Sequence, residues 1–229
     1  MFKRHDLAWL TDAGWRASRD SVAPKYHPAL ERWQRGGWPA VVRRTDPDAM
    51  PNQVCLGIAL PPDSVTRQKI RISLRAPISE TSRTMPPLAI DAIIATAPAP
   101  WRHRLQLLAG QAVERDLALK VYGSVAWQAL TAVSYVTASS DIDMLFSPTT
   151  CIQLEDGLAL LEHHAGILPL DGEILFPSGQ AVAWKEWVQA IRCGINSRVL
   201  VKENSSVHLT TTSALVASLG NIEAISCAG

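Results

Sequence analysis

The chain has 229 residues, 47% of them hydrophobic, with 22 Lys and Arg against 21 Asp and Glu. That length allows one large globular domain or two small ones. A net charge of +1 gives no basis for a nucleic-acid-binding protein, and no apolar run approaches the roughly 18 residues of a membrane helix.

Cys55, Cys151, Cys193 and Cys227 are scattered without a C-x-x-C pair, so neither a zinc site nor a disulfide framework is indicated. The opening Met1-Phe2-Lys3-Arg4-His5-Asp6 lacks the apolar stretch of a secretory leader, and a cytoplasmic protein with reduced thiols is expected. The near-neutral total hides an asymmetry. Residues 1–84 carry 14 Lys and Arg against 8 Asp and Glu, a net of +6, whereas residues 85–229 carry 8 against 13, a net of −5. The change falls in a polar, proline-bearing stretch at 75–87 that reads as a linker. The expected organisation is therefore α+β: a small basic N-terminal lobe, 1–80, and a larger acidic lobe, 85–229.

In chain order, residues 24–35 have helical spacing and stop at Gly36-Gly37. A short strand follows at 38–44, then a loop at 45–52 and a mostly apolar strand at 54–60, stopped by Pro61-Pro62. Residues 67–74 alternate, placing Arg67, Lys69 and Arg71 on one face and Ile70 and Ile72 on the other. In the second lobe, 88–96 and 101–115 read as helices and 117–122 as a strand ending at Gly123-Ser124. A helix at 125–133, a strand at 142–146 and an amphipathic helix at 151–164 come next. Residues 171–176 form a strand that turns at Pro177-Ser178-Gly179 into 180–187. A strand at 197–202 and a helix at 210–219 close the pattern. The second lobe is thus a mixed sheet with flanking helices.

The chemistry concentrates in Tyr122-Gly123-Ser124-Val125-Ala126-Trp127 and Ser140-Asp141-Ile142-Asp143. Gly123 lets the backbone turn sharply and approach a phosphate. Ser124 and the amides opening the next helix supply donors for phosphate oxygens. Asp141 and Asp143 alternate on a strand, so they share a face while Ile142 points into the core. Two convergent carboxylates suit Mg²⁺, which keeps coordination places for phosphate and water. A strand, Gly-Ser, a helix and an Asp-x-Asp strand in this order resemble a nucleotidyltransferase core, in which a hydroxyl attacks an α-phosphate and pyrophosphate leaves. Such sites usually add a third carboxylate acting as a base. Glu173 and Asp171 are the candidates, Glu173 preferred because it lies further inside its strand, with Glu186 a weaker one. Trp127 is expected to pack its helix against the sheet.

These segments, with Tyr135, closely resemble the malonate decarboxylase holo-acyl carrier protein synthases, the phosphoribosyl-dephospho-CoA transferases. The similarity extends to Arg4-His5-Asp6-Leu7-Ala8-Trp9-Leu10, Gly37-Trp38-Pro39 with Val42-Arg43-Arg44, Gly57-Ile58-Ala59-Leu60-Pro61-Pro62, the basic segment at 67–72 and Asp171-Gly172-Glu173 ahead of Trp184-Lys185-Glu186. The resemblance implies transfer of phosphoribosyl-dephospho-CoA from 2′-(5″-triphosphoribosyl)-3′-dephospho-CoA to a serine of the apo acyl carrier subunit of malonate decarboxylase, with pyrophosphate released. It implies that Asp141 and Asp143 are catalytic and hold Mg²⁺, that Gly123 and Ser124 secure the leaving pyrophosphate, and that Glu173 orients or deprotonates the acceptor serine. Arg43, Arg44, Arg67, Lys69 and Arg71 then either neutralise donor phosphates or dock an acidic carrier protein. The competing readings are a nucleotidyltransferase that uses an ordinary nucleoside triphosphate, and a binding module of the same fold without catalysis.

Overall fold

Thr11 is an N-cap residue whose side chain accepts from the Gly14 amide, and it divides the first strand from the first helix. The computed structural model describes residues 2–63, 66, 68–194 and 196–220. The chain opens with β1 (Leu7–Leu10), α1 (Asp12–Asp20) and α2 (His27–Arg35), then β2 (Ala40–Val42), β3 (Gln53–Ala59), β4 (Arg71–Pro77) and β5 (Thr81–Met85). These strands form a five-stranded sheet in the order β4-β3-β2-β1-β5, every pair antiparallel. Leu56, Ile58, Ile72 and Leu74 alternate onto one face, where they join Trp15, Leu30 and Trp33 of the two helices in one core.

Three expectations change in this lobe. The stretch read as a linker contains β5, which pairs with β1 from Leu7↔Met85 to Leu10↔Thr81. Its sequence looks like linker because it is an edge strand with four of its five residues exposed. The basic strand starts at Arg71 rather than Arg67, so Lys69 lies in the preceding connection and Ile70 is exposed. Finally, β1 and α1 add a strand and a helix ahead of residue 24.

The second lobe contains β6 (Leu88–Ala89), α3 (Asp91–Ile94), α4 (Ala99–Glu114), β7 (Leu119–Tyr122), α5 (Gly123–Thr131), β8 (Ile142–Phe146) and α6 (Cys151–Ala165). It continues with β9 (Leu170–Leu175), β10 (Ala181–Ala183), α7 (Trp184–Cys193), β11 (Arg198–Lys202), β12 (Val207–Thr211) and α8 (Thr212–Val216). The sheet order is β12-β11-β10-β9-β8-β7-β6. Among the described strands only β8 and β9 pair in parallel, and α6 supplies the crossover such a pair requires. Residues 180–187 split into strand and helix, and the helix expected at 210–219 is β12 followed by the short α8. Cys55, Cys151 and Cys193 are free thiols, while Cys227 lies outside the described residues. Among the described residues no helix is long and apolar enough to cross a membrane.

α5 joins the lobes. Val125 is fully buried in the core of the second lobe, but Trp127 belongs to the core of the first. Two positions along a helix are about 200° apart, so one helix can serve both. Trp127 therefore meets Trp33 edge to face at 5.3 Å rather than packing only against its own sheet. Beyond α5, Gln128 Oε1 accepts from the amides of Tyr135 at 3.0 Å and Val136 at 3.1 Å. The Tyr135 hydroxyl donates to Ala59 O at 2.8 Å. The long gap between Gly-Ser and Asp-x-Asp is thus a structural clasp onto the first lobe.

Candidate active site

Tyr122, the last residue of β7, is in register with Asp143 on β8. The next residue, Gly123, has φ +71° and starts α5. A Cβ built on Gly123 would sit 1.9 Å from Asp143 Oδ2, so only glycine lets the turn close over this carboxylate. Ser124 follows in the first turn of the helix, with its hydroxyl accepting from Lys69 Nζ at 3.0 Å. Lys69 Nζ also approaches Ser140 Oγ at 3.5 Å. The Gly-Ser turn, the Asp-x-Asp strand and a cation from the first lobe therefore meet in one place.

Asp143 is half-buried and Asp141, just before β8, is exposed, with Ile142 between them fully buried as its position requires. Burial, then the negative charges of Asp171 and Asp141, push the Asp143 carboxyl up to about 6, against the opposing fields of Lys69 and Arg71. Asp171 is the in-register neighbour of Asp143 in the parallel β8–β9 ladder, so their side chains leave the same face.

Glu173 has a different environment. It is 5% exposed and receives Arg4 Nη2 at 2.9 Å, Lys202 Nζ at 2.8 Å and His5 Nε2 at 3.3 Å. Burial alone would raise its carboxyl, but the His5 hydrogen bond, the Arg4 charge and the Lys202 hydrogen bond outweigh it and hold the group down at about 2. A carboxylate so fully committed is a poor base. Depth within the strand thus brings Glu173 ion pairing rather than access, whereas Asp171 is half-exposed beside Asp143 with Lys185 Nζ 3.6 Å from its Oδ1.

Arg44 and Arg71 are exposed and line, with Arg4, Arg43, Gly123 and Asp143, a cavity of about 420 Å³ between the lobes. Arg43 is already engaged: its Nε donates to Leu56 O at 2.9 Å and its Nη2 to Asp46 Oδ2 at 2.6 Å. Asp46 is bound in turn by Arg75 at 2.8 Å. Arg67 lies outside the described residues.

Two family models cover nearly the whole chain. Residues 3–87 match the phosphoribosyl-dephospho-CoA transferase MdcG N-terminal domain and residues 87–213 its C-terminal domain. The chain belongs to the MdcG family. Relatives named phosphoribosyl-dephospho-CoA transferase include one from Xanthomonas campestris pv. campestris strain 8004, 38% identical over 217 residues, 94% of this chain and 97% of its own. Another, from Xanthomonas euvesicatoria pv. vesicatoria, is 40% identical over 219 residues with the same shares. A third, from Bradyrhizobium diazoefficiens, is 37% identical over 192 residues, 80% of each chain. No solved structure matches.

The junction of the two MdcG models at residue 87 falls between β5 and β6, where one sheet ends and the other begins. The residues that spacing does not single out as part of this MdcG site are Arg4 and His5. They stand more than 160 positions from Glu173, so no local pattern links them. Only their place in the opening motif of the family resemblance marks them. His5 has φ +71°, an uncommon conformation for a residue with a side chain, and its ring lies 4.0 Å from that of Tyr122. The N-terminal segment is thereby fixed against the end of β7.

Proposed function

We propose that this protein transfers the phosphoribosyl-dephospho-CoA group of 2′-(5″-triphosphoribosyl)-3′-dephospho-CoA to a serine of the apo acyl carrier subunit of malonate decarboxylase, releasing pyrophosphate. The observation that carries this reading is the approach of Gly123 to Asp143, with Lys69 on Ser124, in a chain of the MdcG family. The serine Oγ attacks the α-phosphorus, a new P–O bond forms, and the bond to the departing pyrophosphate breaks. Gly123 and Ser124 hold the phosphates that leave, and Lys69 places a positive charge beside them where negative charge accumulates. Asp171, half-exposed on the same sheet face as Asp143, takes the serine proton. Glu173 is a positioning residue that fixes Arg4 and His5 beneath Tyr122.

The donor set fits a divalent cation. The charge of exposed Asp141 repels that of the partly buried Asp143, and a cation relieves that repulsion. Among the described residues no group of three His, Cys, Asp or Glu is gathered to hold an ion. Mg²⁺ suits this arrangement because it is bound by one or two carboxylates together with substrate phosphates. Bound there, it would neutralise phosphate charge during transfer.

The test is pyrophosphate release measured with donor and acceptor supplied separately and together. Release that requires both supports the reading. Release from ATP with any acceptor, and none from the triphosphoribosyl donor, overturns it in favour of an ordinary nucleotidyltransferase.

A further inference from the structure

The face of the first sheet turned away from α1 and α2 has a small-residue floor. Val41, Gly57 and Ser73 lie side by side across β2, β3 and β4, so their side chains leave one face together. One step along β3, Ala59 is paired with Arg71. Opposite this floor stand Ala126 and Leu130 of α5 and Tyr122 of β7, and the space between is the cavity that reaches Gly123 and Asp143. Gly57 needs no special backbone conformation. A Cβ placed on it would come no closer than 3.7 Å to Ile72 O and 3.9 Å to Arg43 Cδ, ordinary contacts. The fold therefore has room for a side chain where the chain has none, although glycine weakens a strand interior. Glycine there keeps the cavity open for a close-approaching ligand.

We propose that this cavity binds the adenosine 5′-diphosphate end of the donor's dephospho-CoA portion, a placement that rests on the function proposed above. The walls are mostly apolar, as a purine requires, and 420 Å³ is within the range of small-molecule sites. Arg44 and Arg71 are the exposed guanidinium groups at its edge, placed to meet a diphosphate, whereas Arg43 is held by Asp46. The reacting triphosphate arm branches from the adenosine ribose. Seating the nucleoside here delivers that arm to Gly123, Ser124 and Asp143, while the pantetheine end leaves toward solvent.

The test is calorimetric titration of the full chain with dephospho-CoA, which lacks the triphosphoribosyl arm and so reports on the cavity apart from the chemistry. The wild type is expected to bind one equivalent, with ADP competing and pantetheine not. Gly57→Val, filling the floor, is expected to weaken dephospho-CoA by at least about tenfold and to raise the donor KM similarly with little change in kcat. Its melting temperature is expected to be unchanged. Arg71→Ala, at an exposed position, is expected to weaken dephospho-CoA and ADP alike and supplies a second variant should Gly57→Val fold poorly. Wild-type affinity in both variants, or competition by pantetheine instead of ADP, overturns the proposal. If dephospho-CoA binds and Gly57→Val abolishes it, yet no acceptor is modified, the cavity assignment stands and the transferase reading falls.

Discussion

Asp143 owes its place beneath the Gly123 turn to a missing atom. With any other residue at 123, a Cβ would clash with its carboxylate oxygen and the backbone would be strained at φ +71°. Gly123→Ala is expected to reduce transfer by at least about a hundredfold, comparable to losing a charge-stabilising group, and to lower the melting temperature as well. Asp143→Asn keeps the shape and removes the charge, so about the same loss of kcat is expected without the loss of stability. Steady-state rates and thermal melts on the two variants separate these effects. Glu173 makes the converse case, a carboxylate that serves the fold. Its carboxyl lies at about 2 against an ordinary 4.5. Because the folded value is the lower one, its stabilisation is complete above pH 4.5 and disappears as pH falls through 4.5 toward 2. The shift corresponds to on the order of 3 kcal/mol. Glu173→Gln should therefore be less stable than wild type at pH 7 in urea unfolding and should show a flatter decline below pH 5. Parallel curves for the two proteins would contradict the ion-pair account.

At the scale of elements, α5 carries both the Gly123-Ser124 turn at its start and the inter-lobe contact at Trp127. Trp127→Ala removes an aromatic side chain from the first core and is expected to cost about 3–5 kcal/mol. Wild type should unfold in one transition and the variant in two, as followed by calorimetry. The β7–α5–β8 unit was legible in the sequence because its signals are local: a strand ending at Gly123, an apolar helix, then alternating Asp141, Ile142 and Asp143. The 151–165 helix was legible for the same reason. β5 was hidden because an edge strand with solvent on both sides has no hydrophobic alternation to read. The pairing of Glu173 with Arg4, His5 and Lys202 was hidden because it depends on how two sheets meet. So was the partner of Trp127, since periodicity assigns a face to a helix without saying which core that face enters. Lys69 was read as one of a row of strand cations. The strand begins two residues later, and its freedom from the strand is what lets Lys69 reach Ser124 in the other lobe.

Across the whole molecule, a basic lobe of net +6 and an acidic lobe of net −5 enclose the site between them. Several of the basic groups are consumed within the first lobe, where Arg43 and Arg75 share Asp46 and Arg75 also binds Asp48. Arg44 and Arg71 remain exposed at the cavity edge. If they also steer an acidic acceptor protein, its KM should rise steeply between 50 and 300 mM salt, conditions under which the Debye length falls below about 10 Å. A flat response would confine them to the donor phosphates. The central claim, transfer to a carrier serine at the Asp141–Asp143 site, is tested most directly by intact-mass spectrometry of the apo acyl carrier subunit after incubation with this protein, Mg²⁺ and triphosphoribosyl-dephospho-CoA. The account predicts a mass increase of one phosphoribosyl-dephospho-CoA group with wild type and none with Asp143→Asn. An unchanged carrier with wild type, or an equal increase with the variant, would contradict it.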